Sequence, residues 1–345
     1  MSVVIACDAH KASVTIAVLD ERRAVVHQQT FATNRDGRRS LLNVAKRWPH
    51  RRWAVEGAAG TGAGIAQHLV AAGEQASDVP AKLATRVRLL SRGHGRKNDA
   101  ADAIAIGIAA IDHHGLNTVT VEGHETTLRL LSDRRDDLTR QRTQTMNRLH
   151  DVLAHLVPGE TLPRGSVTAA AELLRRVRPT GDVVRTRRQI AADLIGDLRH
   201  LDKVLKDLER RTLDAVEISR TSLTELFGIG PTLAAKILGH VGNVTRFATK
   251  DHFASYTGTA PLEASSGDVT RHRLSRVGNR QLNSALYIMA LSQIRQPTAG
   301  QDYYRRKLAE GKSRKEALRC VKRRLSDVIY RTLLADADRH QLAMT

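Results

Sequence analysis

Five leucines between residues 194 and 208 constrain this chain more than any other feature. Leu194, Leu198, Leu201, Leu205 and Leu208 recur at alternating steps of four and three. That spacing draws one narrow stripe along a helix from about Val184 to Val216, and the stripe asks for a second helix to cover it. A candidate partner lies upstream. Thr126 to Leu156 is long, charged and helical in pattern, and Pro158, Gly159, Pro163 and Gly165 break the chain after it. A hairpin within one chain and a pairing between two chains both satisfy the stripe, and the sequence does not choose between them.

Before about Glu122 the period is different. Ser2–Cys7, Ser13–Leu19 and Ala24–Ala32 are short runs rich in β-branched residues, as expected of strands joined by short connections. Gly37–Trp48 carries helical spacing, Trp53–Val55 reads as a fourth strand, Gly62–Ala72 as a helix, Ala76–Val79 as a strand and Asp99–Ile111 as an Ala/Ile-rich helix. The order β-β-β-α-β-α-β-α implies an α/β domain with a mixed sheet. From Thr221 the chain becomes mostly helical. Leu223–Leu238 reads as helix, glycine turn, helix around Phe227-Gly228-Ile229-Gly230-Pro231; a loop-rich stretch follows, then a helix from about Arg280 to Gln293 and a basic helical tail. The fold class is therefore α/β plus α, in four segments: 1–120, a long-helix segment at 121–220, a third at 221–310 and the tail at 311–345.

Charge narrows the partner. Lys and Arg number 55 against 36 Asp and Glu, a formal charge of +19. A chain this basic is expected to meet a polyanion, mostly through its phosphates, because aromatic residues make up only 3%. Cys7 and Cys320 have neither metal spacing nor a disulfide framework, which suits a reducing cytoplasm. The first residues read as a strand and not as a secretory signal, and no apolar run is long enough to span a bilayer.

Acidic residues fall where elements end. Asp8 closes the first strand and Glu56 the fourth. Asp99 and Asp102 are three apart on a helix, which brings their Cβ atoms to roughly 5–6 Å on one face. Carboxylates converging from separate elements are what divalent cations need in order to assist phosphodiester cleavage. Turn residues and helix caps are the rival reading for each acid singly. Gly57–Gly62 lacks the Gly-Lys-Ser/Thr ending of a triphosphate-binding loop, so that reading is rejected. Gly228 and Gly230 would let backbone N–H groups approach a phosphate, as in a helix-hairpin-helix, with a plain αα-hairpin as the alternative. Ser265-Ser266-Gly267 precedes Arg271, Arg273, Arg276 and Arg280, so a hydroxyl stands among phosphate-binding guanidinium groups, although Ser-Ser-Gly by itself is also an ordinary loop. Lys312–Arg324 is strongly basic, and Lys322 and Arg323 are read there as nucleic-acid contacts against the rival of a solvated face.

Taken together, these pieces resemble the IS-one-ten family of insertion-sequence transposases, which includes the Piv-type DNA invertases, from about residue 3 to 330. Asp8, Glu56, Asp99 and Asp102 match its Asp-Glu-Asp-Asp quartet, including the Lys-x-Asp-x-x-Asp-Ala frame at 97–103. Gly228–Gly230, Tyr256–Pro261, Ser266-Gly267 and Gly278–Leu282 match the family's C-terminal motifs in order. The stretch after Glu56 departs from the family's Ala-Thr-Gly-aromatic. The resemblance implies a RuvC-like, RNase H-type first domain and Mg²⁺ (or Mn²⁺) on the quartet. It implies Ser266 as the nucleophile of a DNA recombinase, with Ser265 as its neighbour. It also implies double-stranded DNA and a structured guide RNA as partners, and a dimer or tetramer of the chain. The alternative is a RuvC-like metal-dependent nuclease with no covalent intermediate, and a non-enzymatic nucleic-acid binder is a third reading.

Overall fold

The sheet of the first unit grows from a strand buried along its whole length. In the computed structural model, which describes residues 2–90, 99–160, 165–263, 272–273 and 278–342, β1 (Val3–Ala9) has no exposed residue. It is flanked on one side by antiparallel β2 (Ser13–Asp20), which pairs in turn with the exposed edge strand β3 (Val25–Ala32). After α1 (Arg35–Ala45), capped by the Asn34 carboxamide accepting from Gly37 N, the chain returns as β4 (Arg51–Glu56), parallel to β1 on its other side. α2 (Ala63–Ala71), β5 (Ala76–Val79), α3 (Ala81–Leu90), α4 (Asp99–Asp112) and β6 (Asn117–Thr118) complete the unit. The strand order is β3-β2-β1-β4-β5-β6, the mixed sheet expected from the order of elements. Two differences are local. β1 continues past Asp8 to Ala9, and α1 stops at Ala45, leaving Trp48 in the following turn. α4 lays an Ala/Ile face on the sheet, closely enough that a Cβ on Gly107 would sit 2.4 Å from Leu19 Cδ1.

The chain divides into two compact units, Met1–Glu122 and Gly123–Thr345. In the second unit, α5 (His124–Leu156) and α7 (Asp182–Ile218) run antiparallel, with α6 (Val167–Arg176) packed at the distal end. The leucine stripe is consumed here. Leu198, Leu201 and Leu208 are buried, Leu198 beside Met146, Leu149 and Leu153, and Leu201 and Leu208 in the core that holds Leu138. Arg142 clamps Asp202 across the pair at 2.5 and 3.3 Å. The hairpin within one chain is therefore the outcome, and the heptad supplies no argument for pairing between chains.

Downstream come a 3₁₀ turn (Ser222–Glu225), α8 (Pro231–Val241), a second 3₁₀ turn (Val244–Arg246), α9 (Lys250–Tyr256), the ribbon β7 (Leu262–Glu263) with β8 (His272–Arg273), α10 (Arg280–Arg295), α11 (Ala299–Ala309) and α12 (Arg314–Leu342). The helix expected from Leu223 is thus a single 3₁₀ turn, and the glycine hairpin has one α-helical arm. The sequence segments 121–220, 221–310 and 311–345 share one core, in which Leu131, Leu208, Ala234, Leu286, Val321 and Ile329 are all buried.

α8 is fixed to α5 by a ladder of contacts. Lys236 Nζ donates to both oxygens of Asp136 at 2.6 and 2.9 Å, and His240 Nε2 lies 3.1 Å from Asp133. Between these pairs the helices touch at Gly239, where a Cβ would stand 2.4 Å from Arg129 N and 2.6 Å from its Cα. Backbone cannot yield as a side chain can, so Gly239→Ala is expected to cost about 2 kcal/mol or more in urea unfolding. Gly196, helical with nothing within 4 Å of its Cβ position, is the control of opposite sign. Gly196→Ala should stabilise by roughly 0.5–1 kcal/mol.

Candidate active site

Parallel pairing sets the first two acids side by side. Cys7 is in register with Val55, so the next residues, Asp8 and Glu56, emerge together at the carboxyl ends of adjacent strands. This edge of an α/β sheet is where ligands are usually met. The turn after Glu56 is compact. Gly57 has φ +60°, the N–H groups of Gly60 and Gly62 both reach Gly57 O, and Ala58 N donates to Asp78 Oδ1 at 2.8 Å. A Cβ on Gly62 would lie 2.5 Å from the Glu56 carbonyl oxygen, so the glycines of this stretch serve a tight turn packed against Glu56.

The other two acids come from the first turn of α4, where the helix N-terminus favours negative charge. Asp99 is exposed, whereas Asp102 is 9% exposed. Asp102 Oδ1 accepts from Arg88 Nη1 at 2.6 Å. His10 Nε2 lies 3.3 Å from Asp8 Oδ2 and 3.3 Å from Asp99 Oδ1, bridging β1 and α4. One ligand atom from each of Asp8, His10 and Asp99 falls within a span of 4.8 Å, close enough to hold one cation.

Electrostatics mark Asp8 as the strained member. Its side chain is buried, and among the described residues its Oδ2 is met only by the His10 imidazole, 3.3 Å away. Burial pushes the Asp8 carboxyl above the usual carboxylate range; His10 pulls it down, and Asp102 and Asp99 push it up. Arg88 is held more firmly charged by its hydrogen bond to Asp102 and by the charges of Asp102, Glu56 and Asp8. A guanidinium thus stands among the carboxylates. The oxygen-rich donors and the unsatisfied buried oxygen fit a hard divalent cation.

His10 and Arg88 are the two members of this cluster that the sequence reading missed. Asp8-x-His10 was a usable signal, since His10 directly follows the end of β1 and so stays close to Asp8. Arg88 had none, because α3 itself was not anticipated, although Pro80 before it is a helix-start cue.

In the second unit, Ser265, Ser266, Arg271 and Arg276 lie outside the described residues, and Arg273 is described only as a residue of β8. Gly228 takes φ +89° and presses on α10, with Ser292 Cβ 3.0 Å from its would-be Cβ, whereas Gly230, at the N-cap of α8, has open space. Arg280 is exposed in the first turn of α10. Lys322 does not occupy the surface expected of it. It is 7% exposed, donates to Asn283 Oδ1 at 2.6 Å, and its pKa is lowered to about 8 by burial. Asn283 in turn donates to the carbonyls of Thr257 and Gly258, so Lys322 anchors a turn. Arg323 is likewise engaged, by Asp251 at 2.5 Å and by Asp327.

Residues 220–305 match a family model described as Transposase IS116/IS110/IS902 family, and residues 5–158 match the DEDD transposase model of IS110 type, described as Transposase. The chain is 29% identical over 346 residues to the insertion element IS116 uncharacterized 44.8 kDa protein of Streptomyces clavuligerus, covering 85% of each. It is 30% identical over 287 residues to the insertion element IS110 uncharacterized 43.6 kDa protein of Streptomyces coelicolor, covering 69% of this chain and 70% of that one. A pilin gene-inverting protein of Moraxella bovis is 32% identical over 113 residues, 31% of this chain and 34% of that one. Among solved structures, Thermus RuvC bound to a Holliday junction overlaps 32% of this chain and 94% of that chain at TM-score 0.27 and 15% identity.

Two outcomes follow from the cluster. Arg88 competes with any cation for the same carboxylates, because its like charge opposes a dication beside Asp102. Arg88→Gln should therefore bind Mn²⁺ about tenfold more tightly by calorimetry, while Asp102→Asn binds it more weakly; equal affinities in wild type and Arg88→Gln would contradict the competition. Asp8, in turn, opposes folding when ionised, because its folded pKa lies above the unfolded value of about 3.9. That cost is present at pH 7 and disappears as the pH falls below the unfolded value. Asp8→Asn should stabilise the chain at pH 7, with the gain shrinking toward pH 4 in thermal unfolding.

Proposed function

The chain belongs to the IS116/IS110/IS902 transposase family and is a DNA transposase, and from that premise we propose that it cuts and rejoins DNA by a metal-assisted serine mechanism. The observation that carries the reading is the placement of Asp8 and Glu56 at adjacent strand ends, with Asp99 of α4 brought to Asp8 through His10. Asp8, Glu56, Asp99 and Asp102 would hold Mg²⁺ or Mn²⁺, which share a preference for oxygen donors. Such ions, when bound, neutralise charge gathering on the phosphoryl oxygens.

Ser266 supplies the nucleophile. Its Oγ attacks phosphorus, a P–O bond to serine forms, the bond to one deoxyribose oxygen breaks, and the departing oxygen ends with the proton. Attack by another strand's hydroxyl reverses the step and frees the serine. Because the phosphate ester is conserved throughout, strands are exchanged without an external energy source. Arg271, Arg273, Arg276 and Arg280 would steady the phosphate. Gly230, open at the N-cap of α8, would admit the backbone there to a second phosphate, whereas Gly228 serves the packing of the turn on α10.

Double-stranded DNA at the element ends and target is the substrate. A structured RNA from the element's end would guide recognition, and the surplus of basic residues suits both. Ser266 of one copy and the acids of another would form the working site in a dimer or tetramer.

The test is a denaturing gel of the full chain with labelled element-end DNA, the adjacent RNA and Mg²⁺. A protease-sensitive labelled adduct is expected in wild type and absent in Ser266→Ala, with Asp8→Asn reducing it at least a hundredfold. Free nicked DNA from both wild type and Ser266→Ala would transfer the reaction to the acids alone, as in a metal-dependent nuclease.

A further inference from the structure

The second unit holds a cavity of about 450 Å³ between the glycine turn, α10, α11 and α12. Phe227, Met289, Tyr303 and Leu325 supply its apolar walls, and Arg306 and Arg324 stand at it as cations. Nothing in the chemistry assigned to the carboxylates or to Ser266 uses it.

Phe227 is 51% exposed in a chain with few aromatic residues. It is also held in place. The left-handed backbone of Gly228 turns the chain directly after it, and its carbonyl accepts from Gln293 Nε2 at 2.9 Å. A ring fixed by its backbone and left half in water is pre-organised for a flat apolar ligand. Tyr303 carries three cations within reach of its ring: Arg306 at 5.0 Å, Lys307 at 5.4 Å and Arg324 at 6.0 Å. Lys307 is taken up by Glu310 at 2.6 Å. The two guanidinium groups stand farther from acids, Glu310 and Asp327 at 4.0 and 3.9 Å, with side chains 65% and 66% exposed, and Arg324 also hydrogen-bonds Tyr303. The site thus combines a flat apolar wall with two largely exposed guanidinium groups, whose chemistry suits phosphate.

From this pairing we propose that the cavity binds an unpaired nucleobase of the DNA substrate, stacked on Phe227, with its flanking phosphates on Arg306 and Arg324. The volume lies within the range of small-ligand sites. Bases displaced at a strand-exchange junction are the natural source, since an unpaired base needs little further energy to leave its stack. The inference rests on the transposase reading for the supply of DNA and on no part of the cutting chemistry.

The test is therefore binding without catalysis. Full-length protein in EDTA is titrated into a DNA duplex with one bulged 2-aminopurine, into the same duplex fully paired, and into the RNA equivalent of the bulged duplex. Stacking should quench the bulged DNA probe. Phe227→Leu, which keeps apolar bulk and folding, should weaken binding to bulged DNA by about tenfold and spare the paired duplex. Phe227→Tyr should retain the quench, and Arg306→Gln with Arg324→Gln should lower the salt dependence. Equal losses on paired and bulged DNA would overturn the proposal, as would preference for the RNA probe. A change of sedimentation in Phe227→Leu with unchanged DNA binding would assign the cavity to a second copy of the chain instead. None of these readouts depends on Ser266, so failure here leaves the adduct experiment independent.

Discussion

The parallel register of β1 and β4 is the constraint on which the first unit depends. It sets Asp8 and Glu56 at neighbouring strand ends, in a position where burial raises the cost of the Asp8 charge. Left alone, that arrangement would favour protonation or separation of the strands. It persists because the strands are buried over Ile5, Cys7, Trp53 and Val55, so apolar burial outweighs the local repulsion. α4 then adds two more acids from its positive end, and its packing is set by Gly107 against Leu19 and Ala6. The cluster is therefore imposed on the acids by the sheet, and the His10 imidazole and the Arg88 guanidinium are the two groups set against it.

α5 plays the equivalent part in the second unit. One flank accepts the leucine stripe of α7, and another accepts α8 through Asp133, Asp136 and the bare backbone at Arg129. Since both neighbours come from the same chain, association between copies has to use other surface.

How much of this was legible follows the range of the interactions. β1, β2, β5 and α4 could be read because their apolar runs and periods are local, and the acids could be read because they end those runs. What escaped depends on contacts distant in sequence. Arg88 gains its meaning from Asp102 on another helix. Lys322 sits in a basic run that reads as a solvated stripe, yet Ala317, Val321 and Leu325 turn that part of α12 inward and carry the lysine with them. The first arm of the glycine hairpin misled for another reason. Ser222–Glu225 has helical composition but is held as a short turn by Asp336, which accepts from Thr221 and Ser222.

Sorting the cations by partner changes what the net charge means. Arg51 is committed to Glu74, Arg142 to Asp202, Lys236 to Asp136 and Arg323 to Asp251 and Asp327. These groups hold helices and strands in place and cannot also neutralise phosphate. The field offered to a polyanion comes instead from exposed groups such as Lys312, Arg314, Lys315 and Arg324. A basic run is thus two populations in one stretch of sequence, and burial decides which member belongs to which. That is why α12 contributes both an internal anchor at Lys322 and an outward guanidinium at Arg324, two residues apart and facing different surroundings.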